Sequence, residues 1–167
     1  MGAEEVLQRA AEVRLLVLDV DGVMTDGGLY FGTGGELFKR FDAKDGFGLV
    51  LAREAGLPFA LLSGRTSPAA EARGADLGAV TIVQGVREKL PAFESLLRQQ
   101  GVPESACAYM GDDLIDLPVL EVVGLPACPA DAVPQVRARC AFVSQSPGGR
   151  GAIRELVDLC LKARAAR

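Results

Sequence analysis

The sequence contains no histidine, and this absence restricts its chemistry more than any other feature of its composition. Imidazole is the base of the Ser–His and Cys–His nucleophile systems and the commonest nitrogen ligand of metal sites. Any catalysis by this chain must therefore depend on carboxylates, lysine, arginine, hydroxyl groups and a bound metal ion.

Three other features that the sequence lacks limit the kinds of protein it can encode. No apolar run approaches the roughly 20 residues that cross a bilayer, and the first 14 residues lack the hydrophobic core of a secretion signal. The net charge of −4 argues against a nucleic-acid partner, which would require a basic excess. The four cysteines include no Cys-x-x-Cys pair, which favours reduced thiols over disulfides or a zinc site. We therefore expect a cytoplasmic protein that binds neither membranes nor nucleic acid.

Short apolar runs alternate with longer amphipathic segments along the 167 residues. This alternation is typical of proteins in which helices cover both faces of a parallel sheet, so we predict a three-layer α/β sandwich. We find no internal repeat and no linker, and predict one domain over residues 1–167. Strands are predicted over residues 13–18, 59–62, 80–83, 107–110, 125–127 and 141–143. Helices are predicted over residues 46–55, from 68 onwards, over 88–100 and over 152–163.

Residues 27–41 interrupt this pattern with the sequence GGLYFGTGGELFKRF. Aromatic and polar side chains flank a glycine-rich turn at residues 32–35, and such a turn between two short segments is typical of a β-hairpin. We therefore predict a hairpin that projects from the sheet.

Two aspartates mark the end of the first predicted strand. Asp19 and Asp21 follow a buried apolar run, and the alternation of side chains along a strand would place both carboxylates on one side. Two neighbouring carboxylates are costly to bury unless a cation lies between them, and Mg²⁺ is the usual hard cation beside phosphate. The simpler alternative is a turn, because aspartate and glycine both favour turns.

Two further polar motifs follow predicted strands. Ser63 comes after the second core strand, and Gly64 beside it lets the backbone approach an anion closely. A helix cap is the simpler interpretation of Ser63. Lys89 lies at the start of a predicted helix, where a cation is unfavourable, in a connection of the kind that binds ligands in open α/β sheets. A solvated surface lysine is the alternative for Lys89.

An acidic cluster follows the strand predicted at residues 107–110. It contains Asp112, Asp113 and Asp116. Helix capping explains one or two aspartates at such a position. Three carboxylates at the edge of the sheet that also carries the first aspartate pair point instead to a metal site.

The ordered motifs Asp-x-Asp, Ser, Lys and Gly-Asp-Asp-x-x-Asp resemble those of the haloacid dehalogenase superfamily of phosphotransferases over essentially the whole chain. The resemblance implies that Asp19 attacks phosphorus to form an aspartyl phosphate and that Asp21 acts first as general acid and then as base. It implies that Ser63 and Lys89 hold the phosphoryl oxygens. It also implies a Mg²⁺ cofactor, with ligands from Asp19, the backbone carbonyl of Asp21, Asp112 and, close by, Asp113.

Larger members of that superfamily insert a cap domain, and this chain has no room for one. Between Asp19 and Ser63 lie only the hairpin and one helix, and between Ser63 and Lys89 only one helix and one strand. A capless site must accept a macromolecule or be completed by another subunit. Among the capless members of the superfamily, the chain resembles the tetrameric phosphatases of 3-deoxy-D-manno-octulosonate 8-phosphate (KDO 8-phosphate). The segments that carry the resemblance are residues 19–27, 41–46, 62–67, 109–118 and 148–155.

This second resemblance implies a Rossmann-like α/β fold with a mainly parallel central sheet, a projecting hairpin and no cap domain. It implies a homotetramer in which the hairpins pack into a barrel and neighbouring subunits complete each active site. The substrate would be a small sugar-acid phosphate, KDO 8-phosphate, in lipopolysaccharide biosynthesis. The residues expected at the substrate are Asp21, Lys44, Asp45, Gly46, Gly64, Arg65, Arg73 and Lys89.

Several alternatives stay open. Val50 stands one helical turn after Asp45 and Gly46, where relatives commonly have lysine or arginine. This departure leaves a nine-carbon sialic-acid-type phosphate or another small phosphate ester as alternative substrates, although Arg65 after Ser63 and Gly64 favours the eight-carbon sugar acid. Arg73 is also explained as part of a solvated helix face. An accessory subunit with little activity is a further alternative, whereas the order of the motifs excludes a signalling receiver domain, whose acceptor aspartate lies on a middle strand.

Overall fold

The computed structural model describes residues 2–166, and within them one sheet of six parallel strands forms the centre. The parallel pairings confirm the predicted sheet. The strands are β1 (Leu15–Leu18), β4 (Phe59–Leu62), β5 (Thr81–Val83), β6 (Cys107–Met110), β7 (Leu125–Cys128) and β8 (Phe142–Val143). Their order across the sheet is β5-β4-β1-β6-β7-β8, so β1 lies between β4 and β6.

Helices cover both faces of the sheet. Alternate residues of β1 divide between two apolar clusters, with Leu16 and Leu18 in one and Leu15 and Val17 in the other. Because both faces of β1 are buried, the strand is a continuous apolar run in the sequence. The first cluster includes α1 (Ala3–Glu12), α2 (Ala43–Glu54), α3 (Pro68–Leu77) and α7 (Ala152–Ala165). The second includes α4 (Lys89–Gln100), α5 (Leu117–Leu120) and α6 (Pro134–Arg137). The predicted three-layer sandwich is confirmed.

The structure differs from the sequence prediction mainly in its helices. Helix α2 begins at Ala43 rather than at residue 46, because the Asp42 carboxylate accepts hydrogen bonds from the N–H groups of Lys44 and Asp45. Helix α1 was not predicted: it is polar on average, and only two of its ten residues are buried.

The described helices include none that is both long and apolar enough to span a membrane. The assignment of residues 1–167 to one domain stays a prediction. Met1 and Arg167 lie outside the described residues.

Strands β2 (Tyr30–Gly32) and β3 (Gly35–Phe38) form the predicted hairpin as an antiparallel pair outside the main sheet. Gly35 closes its turn with a φ of 107°, a conformation that favours glycine. Large apolar side chains of the hairpin are exposed, with Phe31 at 55%, Leu37 at 66% and Phe38 at 53%. An exposed apolar surface of this kind is typical of an interaction site.

Candidate active site

The carboxyl ends of the central strands carry the predicted site residues. Asp19 follows β1, Ser63 follows β4 and Asp112 follows β6. Because these parallel strands are neighbours, their ends meet at one edge of the sheet. A cavity of about 390 Å³ opens at this edge. It is lined by Asp19, Asp21, Gly27, Leu29, Ser63, Gly64, Arg65, Lys89, Asp112, Asp113 and Ile115.

The backbone after β1 turns sharply to present the first two aspartates. The Asp19 carboxylate accepts a hydrogen bond of 2.7 Å from the N–H of Val20, which fixes the side chain at the end of the strand. Gly22 has a φ of 84°, and a Cβ there would lie 2.0 Å from a carboxylate oxygen of Asp112. The turn therefore requires glycine both for its conformation and for the close approach of Asp112.

Lys89 lies in the floor of the cavity with its side chain only 1% exposed. Its Nζ is 2.8 Å from Asp19 Oδ2 and 2.6 Å from Asp116 Oδ1. Burial by itself would lower the pKa of Lys89, but the charges of Asp19 and Asp116 outweigh burial and raise it. Lys89 is thus a fixed positive charge beside the predicted nucleophile.

Asp116 holds Lys89 in place, a role that sequence reasoning missed. It is fully buried, and its Oδ1 also accepts a hydrogen bond of 2.5 Å from the hydroxyl of Tyr109. Its Oδ2 accepts the N–H groups of Asp112 and Asp113 at 3.0 and 3.1 Å. The sequence shows the acidic cluster, but only these contacts distinguish the role of Asp116 from the roles of Asp112 and Asp113.

Three carboxylates could hold a cation. One oxygen each of Asp19, Asp112 and Asp116 lies within 4.8 Å of the others. Each oxygen of Asp116 accepts two hydrogen bonds, whereas each oxygen of Asp19 has one partner, the N–H of Val20 or the Nζ of Lys89, so Asp19 and Asp112 are the freer ligands. Burial and the nearby charges of Asp19 and Asp116 raise the pKa of Asp112 to about 8, and burial raises the pKa of Asp19 to about 7 despite Lys89. Lys89 alone does not offset the charges of these three carboxylates, and oxygen ligands of this kind fit Mg²⁺.

Asp113 lies at the rim of the cavity rather than within this group of three. It is exposed, and its carboxylate accepts a hydrogen bond of 2.7 Å from the N–H of Leu114. It therefore caps the short turn at Leu114–Asp116. Its predicted part in metal binding stays a prediction.

Bound Mg²⁺ is expected to raise the melting temperature more at pH 8 than at pH 5.5. A carboxylate whose pKa rises on folding stabilises the metal-free protein fully only below its unfolded pKa, near 4. That stability is lost as the pH rises through about 7 for Asp19 and about 8 for Asp112. Bound Mg²⁺ supplies positive charge in place of the protons that these two carboxylates lose, so it stabilises the protein more at pH 8. At about 100 times its Kd, Mg²⁺ contributes about 2.7 kcal/mol, or roughly 5–10 °C, in thermal unfolding.

Asp112→Asn is the matched control for this experiment. It should abolish the response to Mg²⁺ and, without metal at pH 8, melt at a higher temperature than the wild type because one crowded carboxylate is gone. Equal wild-type melting temperatures with Mg²⁺ and with EDTA at pH 8 would contradict the assignment of the metal site.

Asp21 contacts two cations on the other side of the cavity. Its Oδ1 accepts a hydrogen bond of 2.5 Å from Lys39 Nζ, and its Oδ2 lies 3.6 Å from Arg65 Nε. Arg65 also lies over the ring of Phe31, 5.3 Å from its centroid, so the hairpin borders the site. No local pattern in the sequence marks Lys39, which follows β3 and comes to Asp21 only through the path of the hairpin.

Two of the residues predicted to contact substrate lie near the start of α2 and outside this cavity. Asp45 is buried, and its carboxylate accepts the N–H groups of Gly151 and Arg154 at 3.1 and 2.8 Å. It therefore supports the start of α7, and burial raises its pKa. Lys44 is exposed and does not line the cavity of the single chain.

Gly46 and Arg73 lie against each other, also outside the cavity. A Cβ at Gly46 would come within 2.2 Å of the Arg73 guanidinium, so the glycine makes room for the arginine. Arg73 forms an ion pair with Asp76 at 2.8 Å. Val50 is half-buried and packs against the first apolar cluster, which includes α2. Its side chain is apolar and offers no charge to a substrate.

Comparison with known proteins agrees with this geometry. A family model described as haloacid dehalogenase-like hydrolase matches residues 71–156. The chain is 45% identical over 158 residues to a 3-deoxy-D-manno-octulosonate 8-phosphate phosphatase of Salmonella typhi, a match that covers 95% of this chain and 84% of that protein.

Two solved structures extend the comparison to the fold. The crystal structure of the phosphatase of the same name from Yersinia pestis has a TM-score of 0.95 and 42% identity, over 98% of this chain and 89% of that chain. The enzyme from Moraxella catarrhalis, solved with a magnesium ion, a phosphate ion and KDO, has a TM-score of 0.95 and 35% identity, over 98% and 94%. The chain therefore belongs to the haloacid dehalogenase-like hydrolases and, within them, to the family of the KDO 8-phosphate phosphatases.

Proposed function

We propose that this protein is a Mg²⁺-dependent phosphatase that hydrolyses KDO 8-phosphate to KDO and phosphate. The observation that carries the proposal is the pairing of Asp19 with the buried Lys89 at 2.8 Å, next to Asp112 in one open cavity. This arrangement offers a carboxylate nucleophile, a fixed positive charge and ligands for a cation, and it needs no histidine.

The reaction takes place in two displacements. The Asp19 carboxylate attacks phosphorus, the bond from phosphorus to the sugar oxygen breaks, and Asp21 gives its proton to the departing alkoxide. Water then attacks the aspartyl phosphate while Asp21 takes its proton, so that phosphate leaves and Asp19 is regenerated. Each half-reaction has a lower barrier than a direct attack by water on the substrate.

Two side chains receive the phosphoryl group. Lys89 Nζ neutralises the oxygens that gain charge during the displacement. The Ser63 Oγ accepts a hydrogen bond of 3.3 Å from the N–H of Arg65, which leaves its own hydrogen free to donate to a phosphoryl oxygen. Mg²⁺ held by Asp19, Asp112 and the backbone carbonyl of Asp21 would supply further positive charge against the anionic substrate.

Arg65 and the assembly supply the contacts to the sugar acid. Arg65 lines the cavity with a side chain that is 43% exposed, so its guanidinium is available to a carboxylate. Lys44, Asp45, Gly46 and Arg73 lie outside the cavity of the single chain. We propose that neighbouring subunits complete the site in a homotetramer formed through the hairpins at residues 27–41.

The assembly has a direct test. Light scattering should give a mass of four chains of 17.5 kDa. Leu37→Glu should reduce that mass, because it places a charge on the most exposed apolar side chain of the hairpin. Val122→Glu, at an apolar residue that is 38% exposed away from the hairpin, is the matched control and should leave the mass unchanged. A monomeric wild type at working concentration would contradict the shared site.

The substrate is tested by phosphate release from a panel of esters, with Mg²⁺ and with EDTA. The panel contains KDO 8-phosphate, a nine-carbon sialic-acid-type phosphate and simple hexose phosphates. Selective, Mg²⁺-dependent release from KDO 8-phosphate is the expected result. The nine-carbon acid is included because the uncharged Val50 departs from the basic residue of the relatives. A preference for it would leave the proposed mechanism unchanged and would change the proposed substrate. No release from any ester would favour an accessory subunit.

We also propose that the protein acts in the cytoplasm without membrane or nucleic-acid partners. The supporting observations are the net charge of −4 and the four cysteines, all of which are free thiols in the structure. Cell fractionation with an antibody to the protein tests this location, and recovery with membranes would contradict it.

A further inference from the structure

Lys39 is a buried cation that the reaction described above does not use. It follows β3 of the hairpin, and its side chain is only 2% exposed. Its Nζ lies 2.5 Å from Asp21 Oδ1 and 3.0 Å from Glu36 Oε2. Lysine is rarely buried to this extent unless its charge is paired, so these two carboxylates determine where the ammonium group lies.

Glu36 is itself fixed to the main body of the chain. One of its carboxylate oxygens accepts a hydrogen bond from the hydroxyl of Ser67, and the N–H of Ser67 donates to Gln84 Oε1 at 2.8 Å. Ser67 is also the N-cap of α3, where its Oγ accepts the N–H of Ala70. Lys39 is therefore anchored through Glu36 to a rigid helix start, although it belongs to a projecting hairpin.

The two oxygens of Asp21 have different surroundings. Oδ1 takes the short hydrogen bond from the buried Lys39, whereas Oδ2 forms a longer ion pair, 3.6 Å, with the half-exposed Arg65. A carboxylate held at one oxygen by an anchored donor cannot rotate freely, and the other oxygen stays available to the cavity that Asp21 lines. General acid–base catalysis depends strongly on such orientation.

We propose that Lys39 is a positioning residue that holds the Asp21 carboxylate in the orientation needed for proton transfer to the leaving group. The inference rests on the proposed function, in which Asp21 is the acid and then the base. It gives the hairpin a second role, within its own chain, besides any contact it makes with other subunits.

The test compares two esters with different leaving groups. A sugar alkoxide needs a proton in order to leave, whereas p-nitrophenolate does not, and kcat/KM reports only the steps up to departure of the leaving group. Lys39→Met should therefore lower kcat/KM for KDO 8-phosphate by about 100-fold or more, and for p-nitrophenyl phosphate by less than about tenfold. Lys39→Arg should restore most of the loss, since it keeps a donor and the charge. Lys162→Met, an exposed lysine of α7, is the matched control and should leave both values unchanged.

A double-mutant cycle separates positioning from damage to the fold. If Lys39 acts through Asp21, Lys39→Met should have no further effect on kcat/KM in an Asp21→Asn protein. Lys39→Gln replaces Lys39→Met if the latter unfolds or changes the mass in light scattering. Equal losses for the two esters, or additive losses in the cycle, would overturn the inference.

Different results would overturn the proposed function and this inference. A wild type that hydrolyses another alkyl phosphate but not KDO 8-phosphate overturns the proposed substrate, and the comparison of leaving groups is then made with that alkyl phosphate. A wild type that hydrolyses no phosphate ester overturns both proposals.

Discussion

Asp19→Asn should lower kcat by at least about 10⁴-fold and leave the fold intact. The amide has nearly the shape of the carboxylate but is not a nucleophile toward phosphorus, so the aspartyl phosphate cannot form. The fold should tolerate the change because Lys89 keeps its second partner, Asp116, at 2.6 Å. Burial also raises the pKa of Asp19 to about 7, so an uncharged side chain removes a charge that the site disfavours.

Circular dichroism and the melting temperature should accompany the rate measurement. Asp158→Asn, at an exposed aspartate of α7 that forms an ion pair with Arg154, is the matched control and should stay within a few-fold of wild type. A correctly folded Asp19→Asn protein with more than about a hundredth of wild-type activity would contradict covalent catalysis by Asp19.

Lys89→Met has the largest expected effect on stability. The lysine is 1% exposed between Asp19 and Asp116, and its removal leaves two buried carboxylates without their cation. Breaking a buried ion pair on one side costs about 3–5 kcal/mol, which corresponds to a melting temperature lower by roughly 6–20 °C in a chain of this size. The activity should fall by about 10³-fold or more, because the phosphoryl oxygens lose a fixed positive charge.

The loss of stability should depend on pH. The charge of Lys89 lowers the pKa of Asp19, so without Lys89 the Asp19 carboxylate is protonated more readily. Acid then relieves the repulsion at Asp19, and the variant should differ least from wild type near pH 5 and most near pH 8. Lys89→Arg keeps the charge and should recover part of the stability. A Lys89→Met protein that equals wild type in both unfolding free energy and kcat at pH 8 would show that Lys89 is neither buried nor used as described.

Much of the site could be predicted because its residues follow strands that are themselves easy to recognise. Burial on both faces makes β1, β4 and β6 continuous apolar runs, and parallel strands bring the residues after them to one edge. That rule places Asp19, Ser63 and Asp112 at one edge, and the resemblance to the haloacid dehalogenase superfamily implies their roles. Helix α1 was missed although its apolar residues follow a helical period, since it is polar on average and buries only Val6 and Ala10.

The contacts that orient these residues could not be predicted. Lys39 reaches Asp21 across 18 positions, and Lys89 reaches Asp116 across 27, along loop paths that no local pattern encodes. Asp45 has a contact that the sequence also does not show. Its segment resembles a substrate-binding one, and its carboxylate supports the N–H groups at the start of α7, 106 and 109 positions away. Such pairings follow from tertiary packing, which decides the partner of a buried polar group.

The most direct measurement is the mass of the enzyme after reaction with p-nitrophenyl phosphate and quenching in acid. Asp21→Asn is the protein to use. The p-nitrophenolate group leaves without a proton from Asp21, so the aspartyl phosphate still forms, whereas loss of the base slows its hydrolysis and lets it accumulate. We predict one added phosphoryl group on the peptide that contains Asp19, present with Mg²⁺ and absent with EDTA. Phosphate release without any adduct, or an adduct on a different residue, would contradict the account.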